Sequence, residues 1–296
     1  MMKENKVIKG IILAGGLGTR LYPTTKILSK QLLQIYDKPM IFYPISTLLL
    51  AGVRDILIIT KPEDKDLFYD LLGDGSKLGV HFEYACQDNP VGIPDAFIIG
   101  ENFIDNNHVC LILGDNFFHS DKFINKYLIP IFQQDFPTIF GCHVHDPKRY
   151  GIIEFKGKKV LSIEEKPFAP KSSYAVTGIY YFDGNASVLA KNCTPSDRGE
   201  TEIVDMLNEY LSQDRLNVEI FGRGVTWMDM GTNDSLLEAS NYVSLIEKKQ
   251  GFKIACLEEI AFQNNYISKD QLIGLLKDMI ACDYKNYLLS ILRNYE

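Results

Sequence analysis

Cysteine is sparse and unpatterned in this chain. Cys86, Cys110, Cys142, Cys193, Cys256 and Cys282 are scattered through 296 residues with no C-x-x-C pair, which excludes a disulfide-framework protein. Most lie inside apolar stretches, where a free thiol behaves as a small core hydrophobe. Excess positive charge is also missing. The 31 Lys and Arg face 38 Asp and Glu, a formal net charge of −7, so no broad basic face is expected to hold a nucleic acid. No apolar run is long enough to span a bilayer; the nearest, from Met40 to Val53, is too short and is interrupted at Gly52. Residues Met1 to Lys6 lead into a short apolar run broken at Gly15-Gly16, unlike a signal peptide. A reducing cytoplasm, with no membrane partner, is the expected setting. Internal repeats, low-complexity runs and Pro/Ser-rich linkers are absent.

What remains is a globular composition, 46% apolar, 11% aromatic and 23% charged, rich enough in apolar residues to exclude disorder. The length allows one large domain or two modest ones. Val7 to Ala14, Asp55 to Thr60 and His108 to Leu113 are short, apolar, β-branched runs that predict buried strands. Helical spacing occupies the intervals, at Phe42 to Ala51, Asp64 to Leu72 and Pro94 to Asn102. The alternation predicts an α/β fold with a parallel sheet covered on both faces. Closely spaced strands follow at Thr138 to His145, Gly151 to Phe155, Val160 to Ile163 and Ala175 to Phe182, extending the sheet in antiparallel or mixed fashion. Helical patterns return at Glu200 to Leu211, Ser235 to Lys249 and Ser268 to Leu292. The expected division is a core over residues 1–240 and a helical C-terminal segment over 241–296.

The first strand runs into Gly15-Gly16-Leu17-Gly18-Thr19-Arg20-Leu21. Glycines in a strand-to-helix turn let backbone N–H groups converge on a phosphate. Two familiar patterns fail, however. A dinucleotide fingerprint requires a third glycine where Leu21 stands, and a P-loop requires a Lys-Ser or Lys-Thr that is absent. A plain glycine turn stays open at this point. Arg20 adds a fork suited to phosphate oxygens and Lys30 a point charge, so a triphosphate cradle is one reading. Asp115, just past an apolar strand, fits a turn residue as well as a ligand-edge acid. Asp229 follows a second strand-like run, and two such carboxylates could hold one Mg²⁺. Glu165-Lys166 reads equally as a solvated face. His143 and His145 share one side of a strand, but no third ligand of zinc spacing accompanies them.

The motifs taken together are more specific. Leu13 to Pro23 (LAGGLGTRLYP), Ser29 to Leu33 (SKQLL), Tyr36 to Ile41 (YDKPMI), Leu113 to Asn116 (LGDN), Asp146 to Gly151 (DPKRYG), Glu164 to Pro167 (EEKP), Tyr174 to Tyr180 (YAVTGIY), Arg198-Gly199-Glu200, Trp227-Met228-Asp229 and Lys253 to Glu259 (KIACLEE) resemble the sugar nucleotidyltransferases, in their thymidylyltransferase branch. The resemblance spans nearly the whole chain in the family's order. It implies a Rossmann-like three-layer α/β/α nucleotidyltransferase fold with a mixed, mostly parallel sheet. The implied reaction moves a thymidylyl group from dTTP to α-D-glucose 1-phosphate, releasing pyrophosphate at the start of dTDP-L-rhamnose or related deoxysugar synthesis. The alternative is the same chemistry with UTP or another hexose 1-phosphate.

Residue roles follow from the same resemblance. Gly15, Gly16, Gly18, Thr19, Arg20, Lys30 and Gln31 would hold the nucleotide, and Gln87 with the Gly92 backbone its base. Mg²⁺ would sit at Asp115 and Asp229. Lys166 would bind the sugar phosphate, Glu165 a sugar hydroxyl and Arg198 further phosphate charge, with backbone contacts from Gly151 and Val176. The C-terminal region would pack near a second nucleotide site at a subunit interface, matched by Gly222, Arg223 and Lys253, taking dTDP-rhamnose as feedback inhibitor in a homotetramer. The sequence departs from the family pattern where Gly92-Ile93-Pro94-Asp95-Ala96 replaces Gly-Leu-Ala-Gln-Ala. Pro94 either fills the first turn of the next helix or reshapes the base pocket. Gln34, Thr201 and Met230 are lesser departures, and no charged catalytic position is lost.

Overall fold

The computed structural model describes residues 6–196 and 199–294. Its elements run β1 (Ile8–Leu13), the short hairpin β2 (Gln34–Ile35) and β3 (Lys38–Pro39), α1 (Phe42–Leu50), β4 (Asp55–Thr60), α2 (Lys65–Leu72), β5 (His81–Cys86), α3 (Asp95–Ile99), α4 (Glu101–Ile104), β6 (His108–Leu113) and β7 (Asn116–His119). The second half adds α5 (Ile129–Phe132), β8 (Thr138–His143), β9 (Gly151–Lys156), β10 (Lys159–Glu165), β11 (Tyr174–Phe182), α6 (Ala186–Asn192), α7 (Ile203–Ser212), β12 (Asn217–Ile220) and β13 (Thr226–Asp229). Four helices follow: α8 (Asn233–Gln250), α9 (Leu257–Gln263), α10 (Lys269–Asp278) and α11 (Asp283–Asn294).

Nine strands make one sheet in the order β5-β4-β1-β6-β11-β8-β12-β10-β9. The first four are mutually parallel, and only β11 and β10 oppose the rest. Side chains alternate between faces along a strand, and here both faces are buried. Ile12, Ile58 and Ile112 face α1 and the C-terminal helices, meeting Ile45, Leu48, Leu257, Leu272 and Leu288. Their neighbours Ile11, Leu57, Ile59 and Leu111 face the opposite way, against Phe97, Leu189, Met206 and Leu207 of α3, α6 and α7. This double burial is why the first-half strands read as unbroken apolar runs, and the three-layer mixed α/β architecture is the expected one.

Some elements differ from expectation. The pattern from Ser268 to Leu292 is two helices, because Met279 turns extended (φ −76°, ψ 136°) and Ile280 is 80% exposed. Strand β5 was not expected: it lies at the sheet edge and only part of it is buried, so it carries no continuous apolar signal. The elements β12, α6 and α9 were missed for a different reason: at four to seven residues they are too short to show a period. Residue 240 lies inside α8, which starts at a capping box between Thr232 and Ser235. Ala239 and Val243 of that helix pack on Phe117 and Met230 of the core.

A buried charge cluster fastens the end of α8 to the hairpin. Lys38, 2% exposed, lies 2.9 Å from Glu247 and also pairs with Asp37. Lys253 reaches Asp37 and, at 3.4 Å, Glu247, whose Oε1 also accepts the Ile254 N–H at 2.8 Å. Removing one member of a buried pair strands its partner's charge. Lys38→Met should therefore lower stability by about 3 kcal/mol in urea unfolding; a loss under about 1 kcal/mol would contradict the clamp.

Candidate active site

Parallel strands deliver their carboxyl ends to one edge, and the ladder continues past them. The N–H of Ala14 donates to Ile59 O (2.7 Å), that of Gln87 to Thr60 O (2.8 Å) and that of Gly114 to Leu13 O (2.9 Å). The glycine loop, Gln87 and Asp115 consequently arrive side by side, at the position where open α/β sheets bind ligands. Behind the loop, Arg20 sits in a single 3₁₀ turn, Thr19–Leu21.

Asp115 and Asp229 are brought together by a ribbon. β7 pairs antiparallel with β13, placing Asn116 opposite Asp229, and the Met230 N–H donates to Asp115 O at 2.9 Å. Asn116 joins three chain segments. Its Oδ1 accepts from Gly178 N–H (3.2 Å) and Trp227 Nε1–H (2.6 Å), and its Nδ2 donates to Asp115 Oδ1 (3.0 Å). Burial disfavours an ionised Asp115, yet the Lys30 ammonium paired with it holds its carboxyl below the usual range. Asp229 moves the other way: burial first, then the charge of Asp115, push its carboxyl up. Two buried acids of divergent affinity for protons mark a functional site rather than a turn.

The residues expected to hold the sugar phosphate lie across a cavity of about 620 Å³. Gly151 and Glu165 are register partners at the ends of β9 and β10. Lys166 follows with φ +42°, its N–H donating to Tyr150 O at 3.0 Å and its Nζ 3.1 Å from Glu165. A non-glycine residue held there is backbone strain kept in place by its surroundings. The cavity is lined by the expected Arg20, Gly92, Asp115, Gly151, Glu165, Lys166, Val176 and Asp229. Gly92 has φ +129°, and a Cβ on it would lie 2.0 Å from Thr201 O, so glycine alone fits. Gly15, Gly16, Gly18, Thr19, Lys30, Gln31 and Gln87 do not line the cavity. Lys30 touches it through Asp115, while Gln31 is buried with its Oε1 accepting from Ser29 Oγ at 2.9 Å. Arg198 lies outside the described residues.

The structure adds wall residues to which sequence reasoning gave no role: Arg149, Tyr150, Asn116, Thr177 and Trp227. Trp227 is the chain's single tryptophan, and its position two residues before Asp229 was the available signal. Its ring lies 5.4 Å from that of Tyr150, the two planes inclined at 57°. Thr177 Oγ1 is buried without a protein partner among the described residues. Pro94 caps α3 with φ −55°, where its missing N–H costs nothing. A second, smaller cavity of about 340 Å³ is lined by Phe118, Phe123, Phe252 and Lys253. Gly222 and Arg223 do not line it, and the Gly222 N–H donates to Tyr127 Oη at 2.9 Å. No helix among the described residues is long and apolar enough to cross a membrane.

The sheet, the glycine turn at its carboxyl edge and the acid pair beside it define a nucleotide-handling α/β protein. A family model described as Nucleotidyl transferase matches residues 9–244, and the chain belongs to that family. The glucose-1-phosphate thymidylyltransferase of Neisseria meningitidis is 50% identical over 97% of this chain and 100% of its own length. That of Mycobacterium tuberculosis is 46% identical over 96% and 99%. Among solved structures, a putative glucose-1-phosphate thymidylyltransferase from Bacillus anthracis, in complex with a sucrose, superposes with a TM-score of 0.72. It is 40% identical and covers 79% of this chain and 94% of that one. A UDP-glucose pyrophosphorylase complexed with UDP-glucose shares the fold at TM-score 0.72 and 24% identity, covering 82% and 99%.

A stability test follows from the raised Asp229 carboxyl. In the folded chain it holds its proton to higher pH than in the unfolded chain. The resulting penalty is absent below the ordinary value of 3.8, grows as pH rises above it, and is complete only above the folded value. Asp229→Asn should therefore raise the Tm of the metal-free protein at pH 7 and leave it unchanged near pH 3, read by differential scanning calorimetry. A lower Tm at pH 7 would contradict the direction.

Proposed function

We propose that this chain transfers a thymidylyl group from dTTP to α-D-glucose 1-phosphate, giving dTDP-glucose and pyrophosphate. One observation carries the reading. Residues that the family resemblance assigns to both substrates, from Arg20 to Asp229, line a single cavity in a chain about half identical, end to end, to enzymes of that name.

An oxygen of the sugar phosphate attacks the α-phosphorus, a new O–P bond forms, and the bond to the bridging oxygen breaks to release pyrophosphate. The nucleophile is already ionised, so no general base is needed; the protein's task is positioning and charge neutralisation. Lys166 holds the attacking phosphate and Glu165, beside it, a sugar hydroxyl. Arg20 takes triphosphate charge from the glycine-loop side, and Arg149 faces the same cavity. Arg198 would add to the sugar-phosphate side. Asp115 and Asp229 offer hard oxygen donors with no third His, Cys, Asp or Glu grouped with them among the described residues. That set suits Mg²⁺, which favours few protein oxygens and leaves positions for phosphate and water. When bound, the ion would neutralise charge on the transferring phosphate. The two carboxylates would hold it, with Lys30 paired to Asp115 beside them.

Residues 241–296 are read as the appended segment. The family resemblance supports a regulatory nucleotide site near that segment, at a subunit interface, taking dTDP-rhamnose through Gly222, Arg223 and Lys253, in a cytoplasmic homotetramer. In this chain Lys253 already pairs with Asp37 and Glu247, so an entering phosphate would compete with two carboxylates.

Pyrophosphate release with Mg²⁺, measured over dTTP, UTP and dCTP against several hexose 1-phosphates, should be fastest for dTTP with glucose 1-phosphate. Asp115→Ala and Lys166→Ala should each reduce kcat by about 10²–10³-fold. Near-normal turnover in either variant, or a different preferred pair, would overturn the reading.

A further inference from the structure

Asp95 lies in the segment where this chain departs most from its family's pattern, beside the expected base reader Gln87, and the structure gives it a specific contact. The side-chain amide of Gln87 is buried, 3% exposed. Its Nε2 donates to Asp95 Oδ2 at 2.8 Å and points to Gly92 O at 3.4 Å. Both partners are acceptors: a backbone carbonyl oxygen and a carboxylate oxygen. Both hydrogens of the amide are thereby engaged. Flipping the carboxamide would set Oε1 against two oxygens, so its orientation is fixed by chemistry as well as by shape.

The opposite end of the amide is differently placed. No donor of the protein reaches Gln87 Oε1 among the described residues. It faces the glycine loop, where a Cβ built on Gly15 would lie 2.9 Å away. The backbone segment next to Gln87 is pinned as well, since Thr201 N–H donates to Val91 O at 2.6 Å beside the Gly92 bridge to Thr201. Gln87 therefore has one hydrogen-bonding capacity left, at Oε1. It can accept a hydrogen bond and cannot donate one.

We propose that Asp95 is a specificity-setting positioning residue, which locks Gln87 as an acceptor so that only a nucleobase presenting an N–H at that point is accepted. This rests on the proposed placement of the base against Gln87 and Gly92. Thymine and uracil present an imide N–H there, whereas cytosine presents a ring nitrogen lone pair that would face Oε1 directly. Two facing acceptors leave both unsatisfied, which is the strong form of discrimination available to a polar site. Asp95 thus acts on the class of base, keto-imide against amino-pyrimidine, and leaves the choice between thymine and uracil to the 5-methyl group and the sugar.

The test compares kcat/KM for dTTP and dCTP, with glucose 1-phosphate and Mg²⁺, in the wild-type chain and in Asp95→Asn, Asp95→Glu and Gln87→Leu. An asparagine can donate as well as accept, so it releases the flip. Asp95→Asn should lower the dTTP/dCTP ratio by about tenfold or more, with a gain for dCTP itself. Asp95→Glu, which keeps a carboxylate, should retain most of the preference. Damage to folding alone would depress both nucleotides together and leave the ratio in place. An unchanged ratio in Asp95→Asn with a collapsed one in Gln87→Leu would overturn the role of Asp95 while keeping Gln87 as the reader. An unchanged ratio in both would overturn the placement of the base, and this proposal with it.

Discussion

The carboxamide of Asn116 is the interaction on which the site depends. Its oxygen accepts one N–H from Gly178 on β11 and another from the Trp227 indole on β13, and its nitrogen is left to donate to Asp115. Three segments distant in sequence are fixed by one planar group that is 2% exposed. The same tie holds the β7–β13 ribbon against the main sheet, and so places Asp229 beside Asp115. A site that must hold charges to within a fraction of an ångström needs supports whose own orientation is fixed. Asn116 meets that requirement because both its ends are chemically committed. Gln87 repeats the device beside the glycine loop, where Asp95 and Gly92 O commit the nitrogen.

Charge is the second organising constraint. A chain of net charge −7 with two anionic substrates needs cations where they act and nowhere else. Arg20, Arg149 and Lys166 line the cavity, and Lys30 neutralises Asp115 from below. Part of the acidic excess is in the site itself, where Asp115 and Asp229 would recruit a divalent cation that reverses the local sign. The elevated Asp229 carboxyl is the price of that arrangement in the metal-free protein. Elsewhere the charges are structural: Lys38, Glu247, Asp37 and Lys253 satisfy one another and fasten the C-terminal helices to the core.

Much of this was legible in the sequence. The first-half strands were readable because both of their faces are buried, which writes an unbroken apolar run. The glycine loop, Asp115 and the Glu165-Lys166 pair were readable from motif content. Edge strand β5 and the break between α10 and α11 were not, because partial exposure and one extended residue at Met279 leave no periodic trace. Within the site, the resemblance named most of the charged groups, Arg149 excepted, but not the neutral ones that aim them. Asn116, Trp227 and Tyr150 act through three-dimensional pairing with residues far along the chain, and nothing local announces that. Asp95 was visible as a departure, but its meaning required the 2.8 Å contact to Gln87.

The most direct measurement is the turnover of Asn116→Asp, a substitution that keeps size and shape. It exchanges the Nδ2 donor for an oxygen 3.0 Å from Asp115, replacing a hydrogen bond by a repulsion while both contacts to the other oxygen survive. With thermal unfolding recorded alongside to establish that the variant is folded, kcat for pyrophosphate release should fall by about 10²-fold. A folded variant that turns over within about twofold of wild type would contradict the claim that Asn116 holds the acid pair in its working geometry.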